Sequence, residues 1–161
     1  MKESNNLVEN IAYACVTKHC EGNAQSEAVH WINPDFSHRG YSFQDFETES
    51  NKIAAGLKRL GIQPGDVVSI FLPRSPELIC AFFAVFKNQA ISNILFSTLG
   101  PEALFDRLDN SHTKIIFTKK TYFAGFRTGN SFSSGNPAFN KKIINIKWKW
   151  SCLVFIIIYN S

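Results

Sequence analysis

The chain has 161 residues, 45% hydrophobic and 19% charged, and a formal charge of +4. That is enough for one ordinary domain with a real core, and it excludes a chain disordered throughout. The charge is uneven: residues 1–109 hold 9 Lys/Arg against 13 Asp/Glu, whereas residues 110–161 hold 8 Lys/Arg and no acid.

The N-terminus, MKESNNLVEN, is polar and shows no apolar leader run, so a cytoplasmic protein is expected. Four cysteines without CxxC or framework spacing point to reduced thiols in such a compartment. Leu7 to His19 reads as a short helix. Cys15, His19 and Cys20 fall within two turns of it, but with no second ligand cluster plain helix packing is the expectation, and no metal is assigned. Ala28 to Ile32 reads as a brief strand before the turn Asn33-Pro34-Asp35.

Ser42 opens a better helix, because Asp45 three residues on completes a capping-box pattern. Phe43, Phe46, Ile53, Leu57 and Leu60 recur at helical spacing on one face, and Gly61 supplies the stop. Gln63-Pro64-Gly65-Asp66 turns the chain into a strand over Val67 to Leu72, rich in β-branched residues. Pro73 ends it. Ser75 is the expected cap of the next helix, with Pro76 at its first position and Glu77 at the positive dipole end. That helix is apolar nearly all round from Leu78 to Phe86, which implies burial. A strand over Ile91 to Phe96, a helix opened by Gly100-Pro101-Glu102 and a strand over Lys114 to Thr118 follow. The β-α-β-α-β order with short connections requires a parallel sheet with right-handed crossovers, so the fold class is α/β.

After Lys119 the pattern changes. Lys, Asn, Ile, Phe and Tyr make up 24 of the 43 residues from 119 to 161. These residue types use A/T-rich codons, and the segment shows neither helical period nor capped strand alternation. Residues 1–119 are therefore read as one unit. Residues 120–161 are read as a basic tail, disordered or translated out of frame. The basic composition leaves open a tail that contacts nucleic acid or membrane, although neither partner is expected. Ser133-Ser134-Gly135-Asn136-Pro137, with Lys141 nearby, has a phosphate-loop flavour. A cradle of successive amides needs several glycines, and Pro137 has no amide hydrogen, so the stretch is read as plain polar chain.

The segments NIAYACVTKHCEG (10–22), HWINPD (30–35) and YSFQDFETESNKIAAGLKRLGIQPGD (41–66) resemble the opening of AMP-forming acyl-CoA synthetases. LPRSPEL (72–78) and LFSTLGPEALFDRLDNS (95–111) narrow the resemblance to the acetyl-CoA synthetase (acetate–CoA ligase) branch. It covers roughly residues 10–119. The resemblance implies a two-step ligase that uses ATP, CoA and Mg. Its phosphate loop, acidic metal ligand and C-terminal lysine domain are expected downstream of the matched region, so no catalytic residue is assigned here. It also implies that Phe96, Ser97 and Thr98 lie where the nucleotide end of CoA approaches. Phe96 is equally readable as a buried strand end, and Arg74 as a solvated arginine. Two positions depart from the resemblance: Gln89 stands where glycine is usual, and Ile94 where proline is usual.

The expectation is an N-terminal piece of such a ligase, inactive alone and without its own cofactor, whose partner would be a separately encoded remainder of the enzyme. The alternative is a small α/β binding or regulatory module with a basic tail.

Overall fold

The computed structural model describes residues 10–119, 142–147 and 153–158, the last two as backbone only. A helical stretch, π-wound over Tyr13–Thr17, runs into α1 (Lys18–Asn23). A two-stranded antiparallel ribbon follows, β1 (Glu27–Ile32) and β2 (His38–Ser42). Then come α2 (Phe43–Arg59), β3 (Val67–Phe71), α3 (Pro76–Lys87), β4 (Ile91–Ile94), α4 (Pro101–Asn110) and β5 (Thr113–Lys119). Two further strands, β6 (Lys142–Lys147) and β7 (Leu153–Ile158), complete a five-stranded sheet of order β4-β3-β5-β7-β6.

Strand β3 pairs in parallel with β4 and with β5, as the short βαβ connections required. The path goes from β3 outward to β4, then back across β3 to β5. With the right-handed crossovers that such connections follow as a rule, this reversal of direction puts α3 and α4 on opposite faces. The burial pattern agrees. Val68 and Ile70 of β3, with Ile115 and Phe117 of β5, join Phe46, Ile53, Leu57, Cys80, Ala84 and Val85 in the larger core. On the other face Phe71 and Ile116 pack with Leu95, Leu104 and Leu108. Every apolar side chain of α3 is buried or half-buried, as its composition implied.

The capping box of α2 is present. The Asp45 amide donates to Ser42 Oγ at 3.1 Å, and the Ser42 amide donates to Asp45 Oδ2 at 3.1 Å. The helix closes with Gly61 at φ 87°, the Gly61 amide donating to Lys58 O at 3.1 Å and the Ile62 amide to Leu57 O at 3.2 Å. This is the paired-carbonyl closure that a left-handed glycine permits. One expected cap is absent: Ser75 makes no side-chain capping bond to α3, and its Oγ is buried without a partner. The Leu78 amide, which the hydroxyl would take, donates instead to the Ser75 carbonyl at 3.1 Å.

Three further differences concern extent. Strand β2 lies where no strand was expected, since HRGYS has no apolar alternation. Strand β4 stops at Ile94, two residues short of the expected end. Segments 142–147 and 153–158, from the stretch read as lacking strand pattern, pair antiparallel with each other, and β7 pairs antiparallel with β5. The run Leu153–Ile158 is continuously apolar, the pattern of a strand covered on both faces, which alternation does not detect. The rest of the tail, including Ser133 to Pro137 and Lys141, lies outside the described residues.

Candidate functional site

Among the described residues, the carboxyl ends of two parallel strands offer a candidate place for a ligand. At the carboxyl ends of adjacent β3 and β4 the chain leaves toward opposite faces, through Pro73–Ser75 into α3 and through Leu95–Gly100 into α4. Such divergent loops open a crevice at the strand ends. Arg74 lies on the first loop and is exposed. Phe96, Ser97 and Thr98 lie on the second.

That second loop is set by its ends. The Leu95 amide donates to Ile70 O at 2.9 Å, extending the β3–β4 pairing by one residue, and Leu95 is 5% exposed in the core. Alternation then throws Phe96 outward, and it is 81% exposed. The loop turns back through the Leu99 amide to Phe96 O at 3.1 Å, and Gly100 begins α4. The reading of Phe96 as a buried strand end is thus corrected: Leu95 takes the buried position.

A cleft of about 410 Å³ runs beneath this loop, between β4 and α4. Phe96 lines it together with Asn93, Ile94, Leu99, Arg107 and Ser111. Ser97 and Thr98 are on its rim segment but not in its lining, and Arg74 is not part of it. Asn93, Arg107 and Ser111 were not found from the sequence. Asn93 and Arg107 lie 14 positions apart and meet only through the packing of α4 against the sheet.

Behind Asn93 and Ser111 of the lining runs a hydroxyl network with a fixed direction. Ser111 Oγ donates to Arg107 O at 2.7 Å, an acceptor that can return no proton. Thr113 Oγ1 must then donate to Ser111 Oγ at 2.7 Å, and Ser69 Oγ to Thr113 Oγ1 at 2.7 Å. Asn93 Nδ2 donates to both Ser69 Oγ, at 3.1 Å, and Ser111 Oγ, at 3.2 Å. Ser69 and Thr113 are 0% and 1% exposed, so this satisfied network stands in place of a wet gap between strands.

The cleft lining offers a flat aromatic surface, apolar walls, amides and one guanidinium. Among the described residues its lining holds no carboxylate, histidine or thiol, and the groups it does present are suited to binding. The ion pairs lie elsewhere. Lys87 Nζ reaches Glu47 Oε2 at 2.8 Å between α2 and α3, and Thr17 Oγ1 donates to the same carboxylate at 2.9 Å. Burial works against the charge on Glu47. The bonds from Lys87, Asn51 and Thr17 outweigh it and hold the carboxyl below its ordinary 4.5. Lys114 bonds Asp66 at 2.6 Å and, with the Gln63 amide, lowers that carboxyl too. Cys15, His19 and Cys20 do not converge, and His19 stacks on Phe43 with ring centroids 4.7 Å apart. Among the described residues no three metal-ligating side chains do so. Nor is any described helix long and apolar enough to cross a membrane.

Residues 16–145 match the family model of AMP-binding enzymes, and the chain belongs to that family. It is 35% identical over 123 residues to the acetyl-coenzyme A synthetase of Pseudoalteromonas translucida, covering 75% of this chain and 18% of that protein. It is 31% identical over 115 residues to the 3-hydroxypropionyl-coenzyme A synthetase of Sulfurisphaera tokodaii, 71% of this chain and 18% of that one. In three dimensions it is similar to the crystal structure of Brucella canis acyl-CoA synthetase. That match has a TM-score of 0.68 and 27% identity, and covers 74% of this chain and 22% of the other. The chain thus spans less than a quarter of the length of these relatives. The family match runs past Lys119 and includes part of β6.

Proposed function

We propose that this chain is a piece of the N-terminal region of an AMP-forming acetate or short-chain acyl-CoA ligase, and that alone it does not catalyse acyl activation. The observation that carries the reading is the asymmetry of the match: three quarters of this chain corresponds to 18% of an acetyl-CoA synthetase. ATP, CoA and Mg belong on this reading to the whole enzyme, and a separately encoded remainder is the partner. The Phe96–Thr98 loop is the part that meets the nucleotide end of CoA. The 81% exposure of Phe96 and the placing of Arg107 in the same cleft support this, since a ring can stack on a base and a guanidinium can meet a phosphate.

The test is acetate-dependent exchange of pyrophosphate into ATP by the purified chain. No exchange above a protein-free control is expected, because electrostatic stabilisation of the transferring group is usually the largest catalytic contribution and no residue for it is assigned here. Acetate-dependent exchange would overturn the proposal. The acid-free composition of residues 110–161 favours a second reading, a module whose basic tail contacts nucleic acid or an anionic membrane. It predicts salt-sensitive retention on DNA or anionic vesicles that disappears when residues 120–161 are removed.

A further inference from the structure

The β1–β2 ribbon carries a side-chain cluster that the ligase reading does not use. In its register His30 faces Gly40 and Ile32 faces His38, so His30 and His38 share one face as diagonal neighbours. Their rings are 5.3 Å apart between centroids, and His30 Nε2 lies 3.3 Å from His38 Nδ1. Glu27 joins them from the same strand, its Oε1 2.9 Å from His30 Nδ1.

Two features show that this contact is built into the ribbon. A register shift between Glu27 and Val29 displaces Glu27 from strict alternation, so that it reaches residues on the His30 face. Its carboxylate then occupies the space above Gly40, where an added Cβ would lie 2.2 Å from Oε2. Glycine at 40 has φ outside the left-handed region, so the position needs its small size and not its backbone freedom. The missing side chain lets the carboxylate lie against His30.

The chemistry follows from the tautomer. With Nδ1–H donating to Glu27, a neutral His30 presents a bare lone pair at Nε2, aimed at His38. A carboxylate behind a histidine in this way fixes the tautomer and orients the ring as a metal ligand. Two imidazole nitrogens on a tetrahedral zinc ion, each bonded at ~2.0–2.1 Å, are about 3.3–3.4 Å apart. The observed nitrogen separation falls at that value. We propose that His30 Nε2 and His38 Nδ1 are a chelating pair for a divalent ion of the zinc class, with Glu27 as the orienting carboxylate and Gly40 as the opening that admits it. No third ligating side chain converges there among the described residues, so water completes the coordination. The ion takes the place of the His38 Nδ1 proton, which moves to Nε2 of the same ring. The bound ion would clip β1 to β2 beside the turn at Asn33–Ser37.

The test is titration of the full-length chain with zinc chloride, followed by calorimetry, with circular dichroism to confirm that each variant is folded. His30→Ala and His38→Ala should each weaken binding at least ~10-fold, and Glu27→Gln by about 10-fold, the usual loss for an outer-shell carboxylate. Gly40→Ala should reproduce the Glu27→Gln loss with both histidines intact, because its methyl group takes the carboxylate's place. His19→Ala, on α1, should bind as the unaltered chain does. The double variant His30→Ala/His38→Ala measures the background from the thiols. All the histidines in play are exposed, so the variants should fold. Absence of saturable zinc binding, or equal affinity in the double variant, would overturn the proposal. An unchanged Gly40→Ala would remove Glu27 from it. None of these outcomes bears on whether the chain derives from an acyl-CoA ligase.

Discussion

Replacing Gln89 by glycine should make the protein more stable. Helix α3 ends as α2 does: the Gln89 amide donates to Phe86 O at 2.9 Å and the Ala90 amide to Val85 O at 3.2 Å. This closure places residue 89 in the left-handed region, at φ 56°, where the equivalent residue of α2 is Gly61 at φ 87°. A side chain in that conformation crowds the carbonyl and costs about 1–2 kcal/mol, whereas glycine pays only ~0.5–1 kcal/mol of extra unfolded-chain entropy. The Gln89 side chain is exposed, so little packing is lost with it. The net gain should be about 0.5–1 kcal/mol, or a rise in Tm of roughly 1–4 °C for a domain of this size. The backbone of residue 89 also has a second duty, accepting the Gly65 amide at 2.9 Å, which glycine preserves. Urea unfolding followed by circular dichroism, with an unchanged m-value, measures the shift. The expected order is Gly above Asn above Gln above Val at position 89, and Gly61→Ala should lose about 1 kcal/mol. If Gln89→Gly were neutral or destabilising while Gly61→Ala was costly, the conformational argument would fail at this site.

Thr113→Val keeps the shape of a buried side chain but breaks the hydroxyl relay, leaving Ser69 without an acceptor and Ser111 without one of its donors. It should cost about 1–3 kcal/mol, read from the same unfolding curves. Acid should weaken the α2–α3 contact. The Glu47 carboxyl is held below 4.5, so its contribution is complete above that pH and is lost as pH falls through the lower folded value. Unfolding curves between neutral pH and pH 3 should show Glu47→Gln less stable at neutrality and converging with the unaltered chain in acid. A constant difference across the range would contradict the assignment.

The elements whose signals are local were legible in the sequence. Ser42 and Asp45 lie three residues apart, Gly61 follows directly on an amphipathic run, and Gln89, standing where the resemblance has glycine, is found at a positive φ. Ser75 misled because sequence alone does not say which oxygen of a capping residue the Leu78 amide will choose. Phe96 was ambiguous because one residue of strand length inverts inside and outside. The cleft was beyond sequence reasoning for a different reason. The bond between Ser69 and Thr113 joins residues 44 positions apart, and Arg107 enters through the last turn of α4, so only the tertiary crossing brings them together. The ribbon's second strand is held mainly by its backbone pairing with β1, and HRGYS carries no pattern that announces it.

The order of strands limits how this sheet can grow. On one flank β5 already has β7 beside it, running antiparallel, so the slot a further parallel strand would take next to β5 is filled. Any polypeptide that extends the parallel part of the sheet must either peel away the β6–β7 hairpin or add at β4. There the outermost strand is short and keeps Ile91 and Ile94 about half exposed. Addition at β4 conserves every existing strand pair, whereas addition at β5 sacrifices the β5–β7 ladder before gaining anything. If a larger polypeptide did add to this sheet, the two routes would differ in kind: docking on an edge that is unpaired among the described residues, or an exchange gated by the lifetime of one hairpin.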